Sequence, residues 1–98
     1  MEFKKSEDGR SLYVALIGEL DATRMKEIEE TIFREREDVS EVIFDLERLE
    51  YISSAGIRFL LKMQQDMKKK GTMVLKNLNG DVLDILKVTG IIKHLNVI

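Results

Sequence analysis

The sequence predicts an α/β domain in which helices pack on a mixed β-sheet. Strand-like apolar runs alternate along the chain with segments whose apolar residues recur every three or four positions. No linker, repeat or low-complexity segment divides the 98 residues, so we expect one domain spanning 1–98. The 44% hydrophobic and 35% charged fractions are typical of a globular protein with one modest core.

The first half of the chain predicts a hairpin, a buried strand and a helix. The turn signal Asp8-Gly9 separates "MEFKK" from "LYVALIGEL", which we interpret as a hairpin that leads into one largely buried strand. Asp21 is a candidate N-cap for the next segment. Apolar residues recur there at helical spacing, at Ala22, Met25, Ile28 and Ile32.

The second half predicts two further helices between short strands. The apolar run at 42–44, Val-Ile-Phe, is typical of a strand covered on both faces. A helix then begins at Ser53 or Ser54 and ends before Gly71. "TMVLKNL" predicts a strand, and the helix after it stops at Gly90. "HLNVI" predicts one last short strand.

Composition excludes several kinds of chemistry. The chain has no cysteine, so neither disulfides nor thiolate metal sites are available, and a net charge of -2 gives no general attraction to nucleic acid. No secretory signal or bilayer-length apolar run is present, which predicts a cytoplasmic protein without a membrane partner. Glu19, Asp21 and Asp45 lie near predicted strand ends, but capping and solvation explain them without any reaction. We expect no metal and no cofactor.

Two adjacent hydroxyls in "YISSAGIRFL", Ser53 and Ser54, stand where a strand meets a helix. Either serine is a candidate N-cap. The segment does not match the G-x-S-x-G elbow of hydrolases, and the only histidine, His94, lies near the far end of the chain. We therefore predict no catalytic residue and no enzymatic activity.

The third interpretation of the serines is modification. A phosphate at an exposed helix start is favoured by free N–H groups and by the positive end of the helix dipole. It adds about 1.5 to 2 negative charges, which would disrupt a complex that covers the site. The segment would then act as a binding switch.

Three segments, "GELDA", "VIFDLERLEYISSAGIRFLL" and "NLNGDVLDILKVTGIIKHLNV", together resemble the STAS domain, in particular the bacterial anti-sigma factor antagonists. The resemblance covers nearly the whole chain and implies a mixed sheet with helices mainly on one side. It implies that the unmodified antagonist binds an anti-sigma factor, itself an ATP-dependent serine kinase, and so frees the sigma factor. Phosphorylation releases the antagonist, and a PP2C-type phosphatase resets it. The family's final helix is expected to be short or absent here.

The resemblance also assigns site residues. The family's phosphoacceptor falls on Ser54, with Ser53 as the alternative, because Ser53 occupies a position where many antagonists have aspartate. Asp21 and Asp45 match the flanking acidic positions. We expect the partner surface to comprise the motif, these acids and one side of the following helix, namely Asp21, Asp45, Ser53, Ser54, Ala55, Gly56, Arg58, Phe59, Lys62 and Met63.

The helix after the serines has a polar face and an unusually wide apolar arc. Arg58 and Lys62 belong to the polar face, whereas Phe59 and Met63 widen the apolar arc beyond a simple core stripe. Our hypothesis is that these two apolar residues contact the partner, and the alternative is that they edge the core. Two further functions stay open, a ligand-sensing or scaffolding STAS domain without a phosphorylation cycle and a small enzyme. Nothing in the sequence requires more than a monomer.

Overall fold

The computed structural model describes residues 1–98 and contains six strands and three α-helices. The strands are β1 (Glu2–Lys5), β2 (Ser11–Ala15), β3 (Gly18–Leu20), β4 (Glu41–Asp45), β5 (Leu49–Ile52) and β6 (Thr72–Lys76). The helices are α1 (Ala22–Glu35), α2 (Ser54–Lys68) and α3 (Gly80–Val88), followed by a 3-10 helix at Ile91–His94. This alternation confirms the predicted α/β class.

The strands form one mixed sheet and one separate pair. The main sheet has the order β1-β2-β4-β6, in which β1 is antiparallel to β2 and the other neighbours are parallel. β3 and β5 form a parallel pair beyond the ends of β2 and β4. The predicted single strand "LYVALIGEL" is therefore two strands, because the chain turns at Gly18, whose φ is +79°. β5 was not among the predicted strands.

The helices cover one face of the main sheet. A single cluster of 21 buried apolar residues lies between them and that face. Burial alternates along β2, β4 and β6, so the residues between the buried ones point away from the core. Ile43, between buried Val42 and Phe44, is only partly buried. The prediction that residues 42–44 are covered on both faces was wrong, since no helix packs on the second face.

Capping groups hold the ends of α1. The Asp21 carboxylate accepts a hydrogen bond from the backbone N–H of Arg24 at 2.8 Å, which confirms the predicted N-cap. At the other end, the Lys70 ammonium donates to the carbonyls of Arg36 at 2.8 Å and Glu37 at 3.1 Å. One lysine from the end of α2 thus supplies donors to the C-terminal end of α1.

The C-terminal segment departs from its prediction. Gly90, with φ of +77°, follows α3 as predicted, and the next four residues form a 3-10 helix that was not predicted. Only a single parallel bridge, between Val97 and Leu75, represents the last strand expected at "HLNVI". The 3-10 helix takes only His94 from the predicted strand, and the pairing of the remaining residues is limited to two backbone hydrogen bonds, from the Leu75 N–H to the Asn96 carbonyl at 2.9 Å and from the Ile98 N–H to the Leu75 carbonyl at 3.0 Å. None of the helices has the length and apolar character needed to span a membrane.

Candidate functional site

Pairing of β3 with β5 places the starts of α1 and α2 side by side. Leu20 lies opposite Ile52 at the ends of the two strands. The backbone N–H of Ser53 then donates to the Leu20 carbonyl at 3.0 Å, and the Ser53 hydroxyl donates to the same oxygen at 2.5 Å. These bonds join Ser53 to the residue just before Asp21, so the N-caps of both helices meet at one edge.

Ser53 is the N-cap of α2. Its backbone is extended, with φ of -83° and ψ of 172°, and its Oγ accepts a hydrogen bond from the Gly56 N–H at 3.3 Å. The Ser53 hydroxyl therefore both donates to β3 and accepts from α2. The sequence left Ser53 and Ser54 open as N-cap residues, and these hydrogen bonds identify Ser53 as the cap.

Ser54 is the first residue of α2, and its surroundings differ from those of Ser53. Its side chain is exposed and makes no hydrogen bond in the structure. Its Oγ stands at the positive end of the helix dipole, with Asp21 exposed at the neighbouring helix start. Of the two adjacent hydroxyls, only that of Ser54 is exposed and without a hydrogen bond.

Gly56 lets the first turn of α2 lie directly on the β3–β5 pair. A Cβ at this position would stand 2.6 Å from Ile52 Cγ1 and 3.3 Å from Leu20 Cβ, so any side chain would push the helix away. Gly56 is buried and Ala55 partly buried. Both residues therefore lie below the exposed surface of the site, and neither presents a fully exposed side chain.

Asp45 belongs to a different hydrogen-bond network, at the end of β4. The Tyr13 hydroxyl donates to one carboxylate oxygen, while Asn77 Nδ2 at 2.9 Å and the Glu47 N–H at 3.1 Å donate to the other. Desolvation alone would raise the pKa of Asp45, but these hydrogen bonds outweigh it and lower the pKa. The structure joins Asp45 to β2 and β6 and gives it no hydrogen bond to Ser54.

The two apolar residues expected on the partner surface are in the core. Phe59 is 1% exposed and Met63 is 0% exposed. The Phe59 ring packs edge-on against Phe44 of β4, with centroids 6.0 Å apart, and lies 6.3 Å from Phe33 of α1. The surface hypothesis for Phe59 and Met63 was therefore wrong. The apolar arc of α2 is wide because α2 packs on the sheet and on α1 at once.

The exposed face of α2 carries unpaired positive charge. Arg58 and Lys62 are exposed, and neither has a carboxylate within salt-bridge distance. The Lys62 ammonium lies 4.9 Å from the centroid of the Phe33 ring, and the Arg36 guanidinium lies 4.3 Å from it. Cationic side chains therefore follow Ser54 along the outer surface of α2.

Tyr51 is a surface residue that the sequence analysis did not place on the site. It is 47% exposed, lies opposite Glu19 in the β3–β5 pair, and comes two residues before Ser53. Tyr51 directly precedes the buried Ile52, and neighbouring strand residues point to opposite faces, but Glu50 is exposed as well, so burial does not alternate strictly along β5. An exposed aromatic residue beside the serines is a suitable contact for a protein partner.

No histidine accompanies the serines. His94 is exposed and lines a groove with the second half of α2, and no group of three or more histidine, aspartate or glutamate side chains converges as a metal site would require. The hydroxyl of Ser54 makes no contact with a base that would activate it. The arrangement thus presents an accessible hydroxyl at the edge where the starts of α1 and α2 meet.

A sequence model of the STAS domain matches residues 2–98. The chain belongs to the STAS domain family. Among curated proteins it is similar to BtrV of Bordetella bronchiseptica, named as an anti-sigma factor antagonist, with 38% identity over 50 residues. That match covers 50% of this chain and 43% of BtrV, so the matched part of the chain spans less than half the length of this relative.

Solved STAS structures share the fold along nearly the whole chain. SpoIIAA, an anti-sigma factor antagonist solved in its unphosphorylated form, gives a TM-score of 0.80 at 21% identity over 99% of this chain and 88% of SpoIIAA. The phosphorylated form of SpoIIAA from Bacillus gives 0.73 at 20% identity, over 99% and 91%. A Thermotoga maritima protein described as an antagonist gives 0.85 at 16% identity, over 98% and 83%. These likenesses establish the fold, and the match of the STAS model to residues 2–98 confirms the predicted family.

Proposed function

We propose that this STAS domain is an anti-sigma factor antagonist that works by partner switching. The unmodified protein binds an anti-sigma factor that is also a serine kinase and so frees the sigma factor. Phosphorylation of Ser54 releases the protein, and a PP2C-type phosphatase restores it. The named relatives support the antagonist role, since BtrV and SpoIIAA are both described as antagonists. The function is regulatory rather than enzymatic and implies a cytoplasmic location.

The free hydroxyl of Ser54 is the observation that carries this proposal. A kinase needs an accessible hydroxyl, and Ser54 is exposed and unbonded at the first position of α2. Ser53 would have to give up its bonds to Leu20 and Gly56 before it could be phosphorylated. We therefore assign the acceptor to Ser54.

The partner surface is proposed to surround Ser54. Its exposed members are Asp21 at the start of α1, Tyr51 of β5, and the cations Arg58 and Lys62 of α2. A phosphate on Ser54 adds about 1.5 to 2 negative charges at the centre of this surface, where a bound partner would have to enclose them. Enclosing an unpaired charge costs several kcal/mol of binding free energy. Each 1.4 kcal/mol lost weakens the complex about tenfold, so we expect the phosphate to release the partner.

The first experiment is intact-mass spectrometry of the protein after incubation with ATP and candidate anti-sigma kinases from the same genome. We expect one phosphate on the wild type and on Ser53→Ala, and none on Ser54→Ala. Thr23→Ala, which removes an exposed hydroxyl from the start of α1, is the matched control and should accept one phosphate. A kinase that binds tightly but adds no phosphate would contradict the switch.

The second experiment measures partner affinity by calorimetry with the unmodified and the phosphorylated protein. We expect phosphorylation to weaken binding at least about 100-fold, equivalent to roughly 2.8 kcal/mol. Far-UV circular dichroism of both forms should coincide, because the phosphate stands at the favourable end of α2. Equal affinity of the two forms would contradict partner switching even if Ser54 is phosphorylated.

A further inference from the structure

Arg58 follows Ser54 by one turn of α2, and both side chains are exposed. Residues four apart lie on the same face of a helix, with Cβ atoms about 5–6 Å from each other. Cα–Cβ bonds in a helix point toward its N-terminus, so a long side chain covers the turn that precedes its own Cα. The guanidinium of Arg58 therefore has the Ser54 hydroxyl within its reach.

Arg58 is also free of other charged partners, because no carboxylate lies within salt-bridge distance of it. Two other cations in this region have contacts of their own. The guanidinium of Arg24, in the first turn of α1, donates to a backbone carbonyl of β3 at 3.1 Å. The ammonium of Lys62, a further turn along α2, lies 4.9 Å from the centroid of the Phe33 ring. Of these three cations, only Arg58 is available to a new anion.

The charges at the junction of the two helix starts are negative. Asp21, the N-cap of α1, has an exposed carboxylate there, and Glu19 of β3 is exposed as well. A phosphate on Ser54 carries about 1.5 to 2 negative charges, so these carboxylates repel it. Repulsion from the junction favours a phosphate that is directed along α2, toward Arg58.

We infer that Arg58 is the counter-ion of a phosphate on Ser54 and that this pairing withdraws its guanidinium from the partner surface. The inference rests on the proposed phosphorylation of Ser54. The guanidinium donates two N–H groups to two phosphate oxygens, in the bidentate arrangement that suits both groups. Phosphorylation then changes two charges of the partner surface at once. It adds the phosphate, and it occupies the cation that the unmodified protein offers to its partner.

The test uses protein with phosphoserine incorporated at position 54 during translation, so it requires neither a kinase nor a partner. Phosphorus NMR follows the second pKa of the phosphate, which is about 6 in phosphoserine. We expect Arg58→Gln, a change of an exposed side chain, to raise this pKa by at least about 0.3, because the guanidinium favours the dianion. An unchanged pKa in Arg58→Gln would overturn the inference.

Two lysine variants are the matched controls, since each removes one positive charge from an exposed position. They are Lys62→Gln on α2 and Lys26→Gln on α1. Charges that do not contact the phosphate are screened by salt, so each control should change the pKa by less than about 0.1. A rise in either control equal to that in Arg58→Gln would assign the phosphate to a general cationic surface and would overturn the specific pairing.

Nitrogen NMR of the Arg58 Nε–H group detects the contact directly. In the phosphorylated protein, we expect this signal to shift between about pH 5 and 7.5 with the same midpoint as the phosphorus signal. In the unmodified protein it should stay constant. An Arg58 signal that does not follow the phosphate would also overturn the inference. Failure of the proposed function is a separate result, because it appears as no phosphate transfer in the kinase experiment.

Discussion

Two identical side chains next to each other in sequence have different environments in this protein. The hydroxyl of Ser53 bonds to Leu20 and Gly56, whereas the hydroxyl of Ser54 bonds to neither protein backbone nor side chain. The difference arises because Ser53 is the N-cap, with extended backbone, and Ser54 is already helical. A residue at the cap faces the strand it leaves, and the next residue faces outward.

The first prediction concerns the stability of serine variants. Ser53→Ala should lower the free energy of unfolding by about 0.5–2 kcal/mol, because it removes the N-cap of α2. Ser54→Ala is the matched control and should stay within about 0.5 kcal/mol of the wild type, as for other exposed positions. Urea unfolding followed by circular dichroism measures both. A larger loss in Ser54→Ala than in Ser53→Ala would contradict the assignment of the cap.

The second prediction concerns the contact between Gly56 and Ile52. Gly56→Ala should lower the free energy of unfolding, because overpacking against Ile52 costs about 1–3 kcal/mol. The better helix propensity of alanine offsets up to about 1 kcal/mol of that loss. Ile52→Ala alone should cost about 2–5 kcal/mol because it leaves a cavity. In the double variant the new methyl group enters that cavity. The double variant should therefore lose less stability than the sum of the losses of the two single variants. Additivity within about 0.5 kcal/mol would mean that this contact does not limit position 56.

At the scale of elements, the ends of β2, β4 and β6 are joined by one polar network. Asp45 of β4 accepts from Tyr13 of β2 and from Asn77 just beyond β6. The Lys76 ammonium lies 5.5 Å from the centroid of the Tyr13 ring on the same side of the sheet. This network lies on the face that no helix covers, so it stabilises the strand ends where packing is absent.

The third prediction is a pH dependence that tests this network. The folded-state pKa of Asp45 is lowered, so its stabilising effect is present above the unfolded value of about 3.9 and is lost as pH falls through the folded pKa. Tyr13→Phe removes one donor and should raise the pKa of Asp45. The variant should therefore be less stable than the wild type at neutral pH, and the difference should shrink in acid. Thermal unfolding at a series of pH values measures it.

Tyr51→Phe is the matched control for this pH series. Tyr51 is an exposed tyrosine whose hydroxyl makes no hydrogen bond in the structure. Its loss should leave the pH dependence of the wild type unchanged. A difference between wild type and Tyr13→Phe that persists undiminished at low pH would indicate a packing effect rather than the Asp45 hydrogen bond.

At the scale of the whole molecule, one core connects every helix to the main sheet. The 21 buried apolar residues form a single cluster that includes Ile32 of α1, Phe59 of α2 and Leu86 of α3. A domain of this size with one core usually unfolds in an all-or-none transition. We therefore propose that residues 1–98 form one cooperative unit.

The fourth prediction is a single unfolding transition in urea. Circular dichroism and tyrosine fluorescence should give the same midpoint, with a slope at the low end of the roughly 1–3 kcal/mol/M found for small proteins. Ile32→Ala in α1 and Leu86→Ala in α3 should each shift the entire transition, by about 2–5 kcal/mol. If Leu86→Ala produced a separate early transition, α3 would be an independent unit.

The sequence by itself determined the features that depend on near neighbours. The N-cap at Asp21, the end of α3 at Gly90 and the helical spacing of Met25, Ile28 and Ile32 follow from residues within one or two turns. Three segments, the longest of which contains the two serines, together identified the STAS family, and the match over residues 2–98 confirms it.

Only the tertiary structure decided which side chains are buried and which polar groups are paired. Ser53 is bonded to Leu20, a residue 33 positions earlier, and Phe59 is buried because α1 and β4 both reach it. Asp45 finds its donors on β2 and beyond β6, rather than beside Ser54. Local patterns specify the face of a helix or strand, but they do not specify how many other elements pack against that face. Contacts between distant segments decide that, and the arrangement of the fold brings those segments together.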